Sequence, residues 1–190
     1  MTKTTEITSK LWEMANKLRG TMDASEYKNY ILPFMFYRYL SEHQDDYLRD
    51  NGLEDFYQNP TDIEEYYEDI AKSLGYVIEL QFTWTAIVDS IENHKIKASD
   101  FQDMFEAFHK HAKRNTDSEQ EFANVFFDVN LGDTRLGSGT NERAKALNDI
   151  VLMINEFDFK DESGHDILGD VYEYLIGQFA ANAGKKGGEF

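Results

Sequence analysis

The sequence predicts an all-α domain of seven or eight helices with room for one short β-hairpin. Three observations predict it. Apolar residues recur at steps of three and four in one segment after another. Helix-start signatures precede several of those segments. Only YVIELQFTW (76–84) has extended character, and it is short.

Each helix has its own signal. Ile7, Leu11, Met14, Ala15, Leu18 and Met22 lie at helical spacing, and Gly20 marks an exit. DASE (23–26) forms a capping box, in which Asp23 bonds the Glu26 amide and Glu26 reaches back. The helix it opens carries Tyr27, Tyr30, Ile31, Phe34, Met35 and Leu40. Pro33 falls well inside that helix and removes one backbone hydrogen bond, so a kink is expected there. TDIE (61–64) caps a helix that ends near Gly75, and TAIVDSIENH continues as another after the extended stretch. Ser99 with Gln102 is expected to cap a helix whose apolar face is Phe101, Met104, Phe105 and Phe108. SEQEFANVFFDV reads as a short helical piece, and residues 130–140 as a loop. Ala144, Leu147, Ile150, Val151, Ile154 and Phe157 mark the next helix. The last runs from about Asp166 to Ala181, with Ile167, Leu168, Val171, Leu175, Ile176 and Phe179 at core spacing.

Composition narrows the function. At 190 residues, 41% hydrophobic and 14% aromatic, the chain can fill one core or two small ones. No apolar run is long enough to span a bilayer, and MTKTTEITSK has no signal-peptide core. The absence of cysteine removes disulfides and thiolate metal sites and fits a cytoplasmic location. A net charge of −17 opposes a free-standing DNA clamp, because phosphate contacts need cations. The charge is uneven. Residues 1–40 hold six Lys/Arg against four Asp/Glu, whereas residues 41–190 hold thirteen against thirty-two. A nucleic-acid face therefore belongs near the N-terminus or on local islands such as HKHAKRN (109–115).

Motif chemistry yields no active site. Gly132, Gly137 and Gly139 suggest a phosphate cradle, but no strand precedes them and no Gly-Lys-Ser/Thr comes after, so they read as a helix connector. His109 and His111 point about 200° apart on a helix, so they do not share a metal ion and read as surface histidines. The acidic runs 43–50 and 64–69 read as solvated helix faces. Trp12, Tyr27, Tyr30, Tyr37 and Tyr39, mixed with Lys10, Lys17, Arg19, Lys28 and Arg38, allow stacking on nucleic acid or packing between the first two helices.

Three blocks carry a resemblance. LWEMANKLRGTMDASEYKNYILPFMFYRYLSE (11–42), GYVIELQFTW (75–84) and DILGDVYEYLIGQFAANAGKKGGEF (166–190) resemble, in order, segments of the methylation subunits of type I restriction-modification systems. The resemblance implies a helical domain preceding a Rossmann-like domain that binds S-adenosylmethionine and methylates adenine N6 in DNA. It implies assembly with a specificity subunit, a second methylation subunit and a restriction subunit. It also implies that Glu189 and Phe190 begin the cofactor segment, with residues 1–183 as the helical domain and 184–190 as the start of the methyltransferase domain's linker. Methylation by that family uses an Asn/Asp-Pro-Pro-aromatic loop around a flipped base. This chain has only Pro33 and Pro60, so the expectation is a chain that stops at a domain border and is inactive alone. Gly184, Gly187 and Gly188 then form a mobile tail. Lys10, Lys17, Arg19 and Lys28 are the DNA-contact candidates. The competing reading is an acidic helical interaction module, an adaptor or DNA mimic, with no enzymatic parent.

Overall fold

The computed structural model describes residues 3–18, 24–53, 55–58, 63–114, 122, 125–160, 163–164, 166–171 and 173–174. These form α1 (Lys3–Leu18), α2 (Ala24–Asp50), α3 (Ile63–Leu74), α4 (Trp84–Glu92), α5 (Asp100–Ala112) and α6 (Thr140–Asn155). A further helix begins at 168–171, and short 3₁₀ turns occupy Phe56–Gln58 and Leu80–Phe82. The all-α expectation holds. The described residues contain no sheet, only one antiparallel bridge between Lys160 and Asp166. The expected cap residues Asp23 and Thr61, and the segment 115–121, lie outside the described residues.

The chain divides into two compact units, residues 1–39 with 132–190, and residues 40–131. In the first, α1 packs on α6. Ile7 and Leu11 of α1, Leu147, Ile150, Val151 and Ile154 of α6, and Tyr30, Ile31, Phe34 and Met35 of α2 are buried, as their spacing predicts. Phe34 and Met35 are completely so. The helical assignment of α2 continues without a break through Pro33. The proline deprives the Asn29 carbonyl of its intrahelical donor, and Asn29 is exposed, so water can satisfy that oxygen.

Arg38 closes the C-terminal end of α6. Its guanidinium donates to the carbonyls of Ile154 and Phe157 at 2.8 and 3.1 Å and lies 4.7 Å over the Phe159 ring. A cation at a helix C-terminus satisfies orphan carbonyls and complements the dipole. The bridge beyond it places Asp166 to accept from the Leu168 amide at 2.9 Å, which starts the last helix.

The second unit has its own core of Leu48, Phe56, Tyr67, Ile70, Ala71 and Val77. Gly75 ends α3 with φ +88, where a side chain would be strained, and its amide bonds the Ala71 carbonyl. The Phe101, Met104, Phe105 and Phe108 face of α5 is buried as expected. The expected Ser99 cap is not made. Ser99 is already helical in backbone and makes no side-chain cap bond, while Asp100 accepts from the Lys97 amide at 2.7 Å and Gln102 donates to Glu106.

Candidate functional site

The extended stretch poses the unit's main physical problem. Tyr76, Val77 and Ile78 are buried, yet no strand pairs with their backbone. Buried peptide groups without partners are costly. α2 supplies the partners from one face. Gln44, itself fully buried, accepts from the Ile78 amide at 2.7 Å and donates to the Ile78 carbonyl at 2.9 Å. This carboxamide reproduces the pairing of a neighbouring strand. One turn earlier, Ser41 accepts from the Trp84 amide at 2.9 Å, and the Leu40 carbonyl accepts from the Tyr76 hydroxyl at 2.8 Å. Thr83 caps α4 through the Ala86 amide. The segment is fixed as a rigid scaffold piece.

Next to it lies a polar chain. His111 is 1% exposed, and its Nε2 lies 2.9 Å from Glu79 Oε2. Arg114 Nε donates to His111 Nδ1 at 2.8 Å, and its terminal nitrogen donates to Glu64 Oε2 at 2.7 Å. An Arg donor on Nδ1 leaves the imidazole proton on Nε2, so His111 donates to Glu79 and is neutral. Burial holds its pKa below the usual histidine range, against the pull of Glu79. The Tyr67 ring packs 4.8 Å from the imidazole, and burial with Glu79 and Glu64 nearby pushes the phenol up to about 12.

His109 faces elsewhere. Its Nε2 accepts from the Phe126 amide at 3.2 Å, its ring meets Phe127 edge-on at 4.4 Å, and burial lowers its pKa. The reading of His109 and His111 as surface residues is therefore corrected: both are buried and hydrogen-bonded. A histidine that accepts one bond and donates another is satisfied inside a core at little cost. Although each has a defined partner, a His111 so enclosed has no access to substrate. Among the described residues no cluster of His, Asp or Glu could hold a metal ion, and no helix is long and apolar enough to cross a membrane.

The glycine loop is closed to anions by its own side chains. Ser138 donates to Glu142 through both amide (3.1 Å) and hydroxyl (2.7 Å), which places a carboxylate at the N-terminus of α6. Those bonds lower the Glu142 pKa. Arg143 donates to the Gly137 carbonyl at 3.2 Å. A Cβ on Gly137 would stand 2.6 Å from that of Glu142, so this close approach requires glycine. Asp133 accepts from Arg135, which lowers its pKa, and from Tyr30. A phosphate would meet a carboxylate where it needs a free helix end.

Of the DNA-contact candidates, Lys10 is exposed on α1. The side chains of Lys17 and Lys28, and all of Arg19, Glu189 and Phe190, lie outside the described residues. Arg38 is committed to the end of α6. Lys10 is thus the one DNA-contact candidate whose side chain is among the described residues. Sequence reasoning missed Gln44 and the His111 chain. Both carried a signal: Gln44 lies four residues from Leu40 and Leu48, and His111 lies three from Phe108 and seven from Met104.

Known proteins resemble this chain in sequence and fold. The chain is 33% identical to a type I restriction enzyme MpnII methylase subunit from Mycoplasma pneumoniae, over 97% of this chain and 36% of that protein. A crystal structure of the type I restriction-modification system methyltransferase subunit from Streptococcus thermophilus superposes with a TM-score of 0.77 at 26% identity, covering 94% of this chain and 39% of that one. The chain thus spans little more than a third of the length of these relatives. Residues 163–190 match the N-6 DNA methylase family. Residues 7–154, most of the chain, match the HsdM N-terminal domain family, and the chain belongs to it.

Proposed function

We propose that this chain is the N-terminal helical domain of a site-specific DNA adenine-N6 methyltransferase subunit of a type I restriction-modification system. In this reading the domain serves subunit assembly and closure around DNA. The observation that carries it is the order of the two family matches, HsdM N-terminal domain over 7–154 and then N-6 DNA methylase from 163. A helical domain leads directly into the start of a methylase. The relatives support this reading and lend nothing to an acidic adaptor or DNA mimic.

Methyl transfer belongs, on this reading, to residues beyond the helical domain. S-adenosylmethionine would supply the methyl group, with Glu189 and Phe190 at the start of its site. Two features of the described residues support this placement: Glu142 fills the glycine loop, and His111 is sealed. The domain ends near residue 183 and the cofactor segment begins at 184. A specificity subunit would read the DNA, and a second methylation subunit and a restriction subunit would complete the assembly.

The test is charge reversal in the assembled enzyme. Lys10→Glu with Lys17→Glu should weaken DNA binding uniformly across sequences and flatten its salt dependence by up to about two counterions. Unchanged affinity with an unchanged salt slope would remove the N-terminal helix from the DNA face.

A further inference from the structure

The helix that begins at residue 168 has a double affiliation. By packing it is part of the first compact unit, residues 1–39 with 132–190. By sequence it lies inside the N-6 DNA methylase match, which starts at 163, and past the HsdM N-terminal domain match, which ends at 154.

Three elements of the first unit build its seat. Arg38 of α2 donates to the carbonyls of Ile154 and Phe157 and lies over the Phe159 ring, which is buried. The Phe159 carbonyl then accepts from the Ile167 amide at 2.7 Å, and an antiparallel bridge pairs Lys160 with Asp166. Lys3 of α1 donates to the Lys160 carbonyl. Leu168 and Val171, on the first turn of the helix, are completely buried. A helix start held by backbone pairing and by two buried apolar residues opens only when its surroundings open.

The cover stops soon after. Gly169, Asp170 and Glu173 are exposed. Tyr174 lies one turn beyond Val171 at the edge of the same stripe, yet it is 40% exposed. A single exposed tyrosine is ordinary on any surface. This one stands on the first helix of a methylase match, in a chain that covers 36% and 39% of two relatives that extend well beyond it.

We infer that this helix is the interface between the helical domain and the methylase domain, seated in the first through Leu168 and Val171 and docking Tyr174 on the second. This rests on the proposed order of the two domains. The occupant is the methylase domain of the same chain for an entropic reason. Tyr174 is within the segment that matches that domain's family, so the connection to be closed is short, whereas a separate chain loses translational and rotational freedom on docking. The border near 183 is then a border in sequence only. The helical domain sets the orientation of the methylase domain through a rigid helix rather than a loose tether.

The experiment is amide hydrogen exchange around Tyr174, in the 190-residue chain and in a longer protein in which a complete N-6 DNA methylase domain follows it. Covering the exposed part of a tyrosine slows local opening by about tenfold or more, so protection of 171–174 should rise by that factor in the longer protein. Tyr174→Glu should remove the added protection, so its effect in the longer protein should exceed its effect in the 190-residue chain by about tenfold. Equal protection in the two proteins, or an equal effect of Tyr174→Glu in both, overturns the interface. Added protection that depends on protein concentration, or that appears only on mixing with other subunits, overturns it in favour of a separate chain. Methyl transfer to adenine in DNA by the assembled enzyme separates the two proposals. If the longer protein supports no transfer, the proposed function fails. If it does and protection around Tyr174 is unchanged, only the interface fails.

Discussion

Replacing His111 by glutamine tests the polar chain of the second unit most sharply. The imidazole donates through Nε2 to Glu79 and accepts through Nδ1 from Arg114. Hydrogen bonds to charged partners contribute about 1.5–3 kcal/mol each. His111→Leu leaves both partners short and should cost about 2–4 kcal/mol, less than the sum because Glu79 and Arg114 are each about a fifth exposed to water. His111→Gln keeps one donor and one acceptor and should cost about 1 kcal/mol at pH 7.5. The pH dependence comes from the lowered pKa of His111. Between the folded and unfolded values the unfolded chain binds the extra proton. Stability is therefore fully present above the unfolded value of 6.5 and is lost as pH falls toward the folded one. Protonation also turns Nδ1 into a donor facing the Arg114 donor. Glu64, Tyr67, Glu79, Lys110 and Arg114 are the ionisable neighbours, and of these only the carboxylates favour the charged ring. Urea denaturation at pH 7.5 and 5.5 measures the effect as a difference between variant and wild type, which cancels other titrating groups. The glutamine variant should close the gap to wild type, or pass it, at pH 5.5. A gap that is the same at both pH values, or a His111 resonance titrating at or above 6.5, would refute the neutral-imidazole reasoning.

Phe34→Ala should destabilise the first unit by about 3–5 kcal/mol in chemical denaturation, because the ring is fully buried; a loss below about 1 kcal/mol would contradict the packing of α2. Burial, then the charges of Asp46 and Glu42, push Asp45 up to about 6 against the pull of Arg49, so ionising it costs stability as pH rises from 3.8 through 6. Asp45→Asn should therefore stabilise the chain by about 1–2 kcal/mol at pH 7, with the gain gone by pH 4; a gain independent of pH would implicate something other than the carboxylate. Gly137→Ala should cost about 1–3 kcal/mol, since the new methyl meets the first turn of α6, and a neutral result by thermal melt would mean that the loop yields freely.

The helices were legible because they rest on local rules. The apolar residues of α5 and α6 recur at core spacing, and Phe101, Phe108, Ile150 and Ile154 are all buried. Gly75 sits where only glycine is unstrained. The features that escaped depend on distant partners. Ser99 looks like a cap in isolation, but its backbone is already helical and its side chain makes no cap bond, while Asp100 reaches back to the Lys97 amide. Gln44 is polar and so reads as surface, although it occupies a core position on α2; its burial is offset only by the unpaired backbone of Ile78, more than thirty residues away. His109 and His111 were obscured by Lys110 and Lys113 between and after them. The partners that make their burial tolerable are on other segments, Glu79 and the Phe126 amide. The DNA-contact candidates were less legible still, because lysines announce only charge. Phe127 looks like one more core aromatic until its neighbour Phe126 takes the inward position.

Whether the helical domain positions rather than catalyses is decided by calorimetry with S-adenosylmethionine. The 190-residue chain is titrated beside a longer protein in which a complete N-6 DNA methylase domain follows it. The expected result is no measurable heat of binding for the 190-residue chain, saturable binding for the longer protein, and weaker binding there after Glu189→Ala. Saturable cofactor binding by the 190-residue chain alone would contradict a purely positioning role.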